Sequence, residues 1–360
     1  MVSSIRSFLI LTVLLLPSST AFCQRARNWQ ESAAAIDRAA PILMGEHHTP
    51  GVSVALVEAG KIAWTGCYGI RAEGDPAPVT PDTVFEACSM SKPLFAYGFL
   101  KLVEQKQFDL DKPLVNYLAN PYLKDQPLHR QITAKMVLTH TTGFPNWRKG
   151  GWRAGGKLPV RFQPGSRFGY SGEGFWYLQQ VVEHVTGEPL DSWSQRVLLK
   201  PLNMRHSSYV WRNDYSKLAA VGHNADGSVK KDRRKFDRAN AAFTLYTTPS
   251  DYARFLNEVM NPDRRAKHSL SASMLKRMLK PSVTSDKAGI SRSLGWAVRK
   301  EGSSTLVGHS GANGTGFRCV CEFDRKTGRG IVIMTNSVSG KAVWQGLLKS
   351  SGWLSSKDEE

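Results

Sequence analysis

Hydrophobic and polar positions along the chain fall into three zones with different periods. Residues 28–44 place alanines and larger apolar side chains at helical spacing and stop before His47-His48-Thr49-Pro50. Residues 52–57 and 62–68 are β-branched and aromatic runs joined by Glu58-Ala59-Gly60-Lys61, which predicts a hairpin. From about residue 85 to 279 the period becomes mainly helical. One helix is predicted from Phe175 through Val185, stopping at Gly187. Another starts at Thr248-Pro249-Ser250-Asp251, where Thr caps, Pro takes the first position and Asp the third. From Ser293 the strand period returns over 294–299, 305–309, 317–323 and 331–335, before a last helix around 342–349.

Strands at both ends with helices between them predict an α+β fold, an α/β sandwich. One antiparallel sheet is assembled from the N- and C-terminal strands and flanked by helices. A mainly helical region is inserted, and the active site lies between the two parts. The sheet part is expected at about 28–82 and 290–354 and the helical part at about 83–289, together one domain over 24–354, with a polar tail at 355–360. Internal repeats are absent, and 149–157 is a Gly-rich turn.

With 360 residues and 41% hydrophobic content the chain has ample material for a core, which excludes a disordered protein. Residues 1–23 have the form of a secretory signal: Arg6 at the basic end, the apolar run 8–16, then Pro17-Ser18-Ser19-Thr20-Ala21. That run is too short to span a bilayer, and Phe22 before Cys23 does not predict a lipid anchor. A periplasmic or secreted mature protein without a transmembrane segment is therefore expected. The formal charge of +18 becomes +17 once Arg6 leaves with residues 1–23, which favours an anionic envelope surface as a partner. It does not indicate nucleic acid. The densest run, Lys230-Lys231-Asp232-Arg233-Arg234-Lys235, has no aromatic for base stacking and is expected as a solvated loop. Five cysteines, one of them Cys23, do not make a disulfide scaffold. Cys319 and Cys321 point to one face of one strand and cannot easily bridge each other, Cys67 and Cys88 are expected in the core, and a bridge elsewhere is left open.

Candidate chemistry begins at Phe85-Glu86-Ala87-Cys88-Ser89-Met90-Ser91-Lys92-Pro93. A helix starting inside it puts the Ser89 hydroxyl and the Lys92 amine on one face of the first turn. A serine needs a neighbour to take its proton, and a desolvated lysine can do so. Lowering a lysine from about 10.4 to about 7 takes on the order of 4 kcal/mol, which only a partly buried pocket supplies. Ser-x-x-Lys occurs three times, at Ser89, Ser228 and Ser273. Ser228 follows Asp226-Gly227 in a solvated turn and Ser273 opens an ordinary amphipathic helix. Only Ser89 joins an extended segment to a strongly apolar helix, and alone it remains readable as nucleophile or as helix cap. Phe168-Gly169-Tyr170-Ser171-Gly172-Glu173-Gly174 is a glycine-punctuated loop ahead of the Phe175 helix, from which a phenol can enter a cleft. Val307-Gly308-His309-Ser310-Gly311-Ala312 closes a strand where glycines let a substrate lie close to the backbone. Pro93 lacks an N–H, so the helix is expected to begin within 88–91 and to hold Ser89 at its positive end.

In this order the segments resemble the serine β-lactamase and penicillin-binding protein superfamily, closest to the class C-like branch with esterases and D-amino-acid peptidases. The resemblance runs from about 51 to 346 and rests on Ser89-Met90-Ser91-Lys92, Tyr170-Ser171-Gly172 and His309-Ser310-Gly311, supported by Leu138-Thr139-His140-Thr141-Thr142-Gly143, Pro201-Leu202-Asn203-Met204 and Thr247-Thr248-Pro249-Ser250-Asp251-Tyr252. It implies that Ser89 is acylated, Lys92 activates it, Tyr170 shares the proton transfers, and the N–H groups of Ser89 and Ala312 form an oxyanion hole. It also implies that His309, Ser310, Gly311 and Ala312 bind a small ester, amide or peptide substrate, with no cofactor. Two positions depart from the family. Gly172 stands where Asn is frequent, and His309 where penicillin-recognising members carry Lys, which shifts the expectation from β-lactamase toward esterase or peptidase. Lys326-Thr327-Gly328 is a decoy in a hairpin turn.

An α/β-hydrolase is excluded because Gly308-His309-Ser310-Gly311-Ala312 lacks the final glycine of the elbow and no histidine follows it. A metal site is not expected, since His47-His48 has no partner at ligand spacing. The alternative from another class is a non-catalytic, penicillin-binding-like envelope receptor or scaffold.

Overall fold

The computed structural model describes residues 28–353 apart from 124, 154, 233, 263–265 and 303. The expected signal segment 1–23, the tail 355–360 and Arg233 of the basic run lie outside these residues. Helix α1 (Trp29–Glu46) opens on a capping box in which Asn28 and Glu31 each accept the other's backbone N–H. The predicted hairpin follows as β1 (Gly51–Glu58) and β2 (Lys61–Ala72), with β3 (Asp75–Pro78) paired along its outer edge. The inserted region holds β4 (Phe85–Glu86), α2 (Ser91–Glu104), α3 (Ala134–Leu138), α4 (Gly172–Thr186), α5 (Leu190–Ser194), α6 (Tyr215–Leu218), β5 (Tyr246–Thr247), α7 (Pro249–Met260) and α8 (Ala272–Leu279). Long irregular segments connect them. The chain then returns through β6 (Val283–Thr284), β7 (Ile290–Arg292), β8 (Ala297–Glu301), β9 (Ser304–Ala312), β10 (Arg318–Asp324) and β11 (Arg329–Thr335) to α9 (Gly340–Ser350).

Among the described residues the large sheet has the order β3-β2-β1-β11-β10-β9-β8-β7-β6, with neighbours antiparallel throughout. It is the expected sheet built from both termini, joined where β1 pairs β11, Val52 opposite Thr335 and Val57 opposite Gly330. Because side chains alternate between faces, Val52, Val54 and Leu56 pack with α1 and α9, while Ala55 and Val57 join the core that includes α2, α4 and α7. Covered on both faces, β1 carries an apolar run interrupted only by the buried Ser53.

Two predicted boundaries move. Helix α4 begins at Gly172, capped by Ser171, rather than at Phe175, so Tyr170 stands immediately outside the helix. The strand expected at 294–299 begins at Ala297, because Gly295 turns with φ 89° and lies where a Cβ would meet Ala96 Cβ at 2.6 Å. The late start matters. β8 pairs β9 only as far as Ala297 opposite Gly308, so residues 309–312 have no β8 partner. β9 itself runs past His309 to Ala312.

The two halves of the sheet are fastened by Asn336, which is fully buried. Its Oδ1 accepts the Gly51 N–H at 2.7 Å, and its Nδ2 donates to the carbonyls of Ile70 at 3.3 Å and Arg71 at 3.1 Å. Asn336→Ala strips partners from these inner backbone groups and should lower unfolding free energy by roughly 2–4 kcal/mol in urea denaturation. A change within about 0.5 kcal/mol of wild type, the range of ordinary surface substitutions, would show that water replaces the amide.

Candidate active site

Ser89 lies on a single 3₁₀ turn, Cys88–Met90, that runs directly into α2, so the helical path starts within the expected window and Pro93 falls in its first turn. Cys88 is in the left-handed region at φ 51°, a strained conformation that turns the chain sharply into the helix. Its neighbour across the turn is Gly311, where a Cβ would come within 2.6 Å of Cys319 Sγ and 2.7 Å of both the Ala87 carbonyl and Cys88 Cβ. Gly311 therefore seats β9 against the serine turn. Its backbone lines the cleft on the strand expected to bind substrate.

Lys92 stands one turn on, with Nζ 3.1 Å from Ser89 Oγ and donating to the Ala242 carbonyl at 2.8 Å. The side chain is 1% exposed. Burial pushes its ammonium below the ordinary range, the Tyr170 phenol acts the other way, and the charge of Arg292 adds to the downward push. Lys92 Nζ also lies 4.8 Å from the centre of the Tyr170 ring and 5.6 Å from that of Phe175. Tyr170 is held by His140, whose ring stacks on it at 4.3 Å and whose Nδ1 accepts the Ser171 N–H at 3.1 Å. Burial, Lys92 and Arg292 hold the His140 ring well below its ordinary range, so it packs as a neutral plate.

His309 faces the same centre from β9, its ring 6.4 Å from that of Tyr170. Burial, Lys92 and Arg292 pull its pKa down to about 3. The neutral ring donates Nδ1–H to the Ser310 carbonyl at 2.7 Å, which leaves Nε2 a buried acceptor without a partner. Ser89, Tyr170, His309, Ser310, Gly311 and Ala312 all line one cleft of about 560 Å³, with Lys92 buried behind Ser89. Thus the structure brings the seven sequence-predicted residues together. Among the described residues no cluster of His, Cys, Asp or Glu has the makings of a metal site.

The neighbours of Gly172 were not legible in sequence. A Cβ at Gly172 would stand 2.6 Å from the Trp147 indole, so that ring fills the space a longer side chain needs. Asn146 Oδ1 accepts the Gly172 N–H at 2.9 Å, and Asn146 lines the cleft. The loop carrying both is pinned by Arg148, which pairs with Glu173 through Nη2–Oε2 at 2.5 Å and Nε–Oε1 at 2.9 Å, both side chains buried. Arg292, also missed, enters the cleft from β7.

The two decoy serines are exposed: Ser228 Oγ bonds Asp226, and Ser273 Oγ meets Ser271 on α8. Lys326-Thr327-Gly328 forms the turn between β10 and β11, away from the cleft. Cys67, Cys88, Cys319 and Cys321 are free thiols, and Cys67 is half-buried rather than in the core.

An antiparallel sheet flanked by helices, with a Ser-x-x-Lys turn, a tyrosine loop and a sheet strand around one cleft, defines the class C β-lactamase-like fold. The chain belongs to the Beta-lactamase family, which it matches over residues 36–346. It is similar to Protein flp of Staphylococcus aureus (strain N315), 24% identical over 327 residues, which are 86% of this chain and 64% of that protein. The chain thus spans a little under two thirds of that relative's length. Among solved structures it resembles a D-alanine carboxypeptidase from Burkholderia cenocepacia at 20% identity, with TM-score 0.75 over 89% of this chain and 99% of that one. A class C beta-lactamase gives TM-score 0.75 at 22% identity, covering 90% of this chain and 98% of that one.

Just ahead of the serine turn, Glu86 is buried and its Oε2 accepts from Thr315 Oγ1 at 2.6 Å and Asn313 Nδ2 at 2.5 Å, tying the β9–β10 loop to β4. Burial raises its pKa from 4.5 to about 7, against the effect of those two donors. The folded state therefore holds this proton more tightly than the unfolded state, and the associated stability is lost as pH rises through about 7. A Gln can accept the same two hydrogen bonds without charge. Relative to wild type, Glu86→Gln should gain stability between about pH 5 and pH 8, by up to about 3 kcal/mol. Urea denaturation at both pH values measures this, and an unchanged gap would place the Glu86 proton elsewhere.

Proposed function

We propose that the protein is an exported serine hydrolase that works through an acyl-enzyme on Ser89, cleaving an ester or amide. The observation that carries this is the buried amine of Lys92, 3.1 Å from Ser89 Oγ and pushed toward its neutral form. In this scheme Ser89 Oγ attacks the substrate carbonyl carbon and passes its proton to Lys92 Nζ. The oxyanion is met by the N–H groups of Ser89 and Ala312, each contributing on the order of 3 kcal/mol. When the bond to the leaving oxygen or nitrogen breaks, Tyr170 and Lys92 return the proton to it. Water then attacks the carbonyl carbon of the Ser89 ester and gives a proton to the same pair; the bond from that carbon to Ser89 Oγ breaks, the pair returns the proton to Oγ, and the carboxylic acid leaves.

Esterase or D-amino-acid peptidase activity is favoured over β-lactam hydrolysis, because His309 is neutral and Gly172 offers no amide. The similarity to the Burkholderia cenocepacia D-alanine carboxypeptidase supports the peptidase branch. One observation favours a non-catalytic binding role instead: the Trp147 indole occupies the place where the family frequently has an Asn side chain.

A fluorophosphonate should add one phosphonyl group to the wild type by intact mass and none to Ser89→Ala. No adduct on folded wild type would favour the binding role. Assay with p-nitrophenyl esters, nitrocefin and D-Ala-D-Ala peptides then separates the hydrolase classes. Lys92→Met should lower kcat/KM by about 10²–10⁴-fold. Since the neutral amine is the active form, kcat/KM should rise with pH and level off below the ordinary lysine value of about 10.4. A pH profile falling through neutrality would remove Lys92 from the role of base.

A further inference from the structure

Two buried thiols meet beneath the nucleophile, and the catalytic scheme uses neither. Cys88 directly precedes Ser89 and is fully buried, its Sγ lying 3.4 Å from the Glu86 carbonyl and 3.7 Å from that of Phe317. Cys319, also fully buried, lies on β10 opposite Gly311 of β9, and its Sγ donates to the Ala87 carbonyl at 2.9 Å. The point at which Gly311 lacks a Cβ is 2.7 Å from Cys88 Cβ and 2.6 Å from Cys319 Sγ, so both cysteines border one gap. They act on each other through a side-chain hydrogen bond. The residue type at 88 is informative. Its backbone is left-handed at φ 51°, where glycine is free of strain and cysteine is not. A thiol is kept there at a conformational cost, against a second thiol from the other end of the chain.

The remaining thiols are placed differently. Cys321 shares a strand with Cys319 two residues on, where the two cannot easily bridge, and its Sγ turns to the His309 carbonyl at 3.5 Å. Cys67 sits on β2 with Sγ 3.6 Å from Ser53 Oγ. Burial holds the Cys88 thiol well above its ordinary range, with Cys319 and Glu86 adding to the rise and Arg318 opposing it. The closed protein therefore keeps this pair inert, and oxidation needs an opened serine turn or a chain still folding. The export proposed above brings the folding chain to a compartment where disulfides persist.

We propose that Cys88 and Cys319 form a reversible disulfide that lifts β9 from the serine turn, so that the cleft is active with free thiols and idle when bridged. The oxidant is a small-molecule or protein disulfide. The Cys88 thiolate attacks one of its sulfurs and expels a thiolate; the Cys319 thiolate then attacks the Cys88 sulfur and expels the second. The two cysteine protons end on the two released thiols, so the exchange balances without a further reactant. Bridging takes the Cys319 donor from the Ala87 carbonyl and draws both sulfurs together across the gap that the Gly311 backbone borders. The strand gives way, the Ala312 N–H leaves its place beside that of Ser89, and the oxyanion loses a donor. The effect on catalysis rests on the acyl-transfer role proposed for Ser89, whereas the bridge itself does not.

The test holds the full chain, native or refolded from urea, with oxidised glutathione. Remaining thiols are alkylated in urea, and a tryptic digest is analysed without reductant. In at least one of the two samples a cross-link should join the Cys88 peptide to the peptide that carries both Cys319 and Cys321. It should persist in Cys321→Ser and vanish in Cys319→Ala and after dithiothreitol. Fluorophosphonate labelling of Ser89 should slow by at least about tenfold in the bridged form and recover with dithiothreitol. Cys88→Gly and Cys319→Ala should each label at one rate with or without the oxidant. Absence of the cross-link, or its survival in Cys319→Ala, overturns the proposal. A bridged protein that labels as fast as the reduced one overturns the switch. If reduced wild type takes no fluorophosphonate, the hydrolase role fails, and the bridge is still decided by the cross-link and by a urea midpoint that rises on oxidation in wild type but not in Cys319→Ala.

Discussion

An amine buried without a carboxylate partner is the constraint on which the site depends. Lys92 is kept from water by α2, by the aromatic rings of Tyr170 and Phe175, and by the segment that offers the Ala242 carbonyl. A carboxylate in that shell would hold the amine protonated, against the base role proposed for it. The surroundings follow from this exclusion. They are supplied by aromatic faces, a backbone carbonyl, a neutral His309 and a neutral His140, together with the positive Arg292.

Holding three distant segments around that amine takes close contacts at the strand. Gly311 brings β9 against Cys88, the left-handed Cys88 turns the chain into α2, and Glu86 anchors the loop beyond β9 to the strand before the turn. These contacts act on one another. A shift of β9 would move His309 and Ala312 together with the floor beneath Ser89. The unpaired edge left by the late start of β8 is then the open side of a cleft otherwise closed by packing.

Much of this was legible in sequence because it is encoded locally. The hairpin 51–72 follows from two β-branched runs and a Gly turn, the α7 start from Thr248 and Pro249, and the position of Ser89 from Pro93, which fits only near a helix start. Local context also set aside Ser228, Ser273 and Lys326-Thr327-Gly328. Illegible parts depend on contacts between distant residues. Nothing near Arg292 in sequence marks it as a cleft residue, Ala242 acts through its carbonyl, and Gly295 fits a strand pattern until α2 is placed beside it. Short strands such as β4 and β5 pair across most of the inserted region, so neither carries a signal of its own.

The indole of Trp147 against Gly172 has a consequence for how this cleft can change over time. An amide side chain at position 172 has no room while the tryptophan stands, and loss of the tryptophan alone leaves a void beside the tyrosine loop. The buried Arg148–Glu173 pair fixes the register of the two segments, so neither can slide to relieve the conflict. Positions 147 and 172 are therefore epistatic, and a descendant of this chain reaches the amide-bearing form of the loop only by exchanging both.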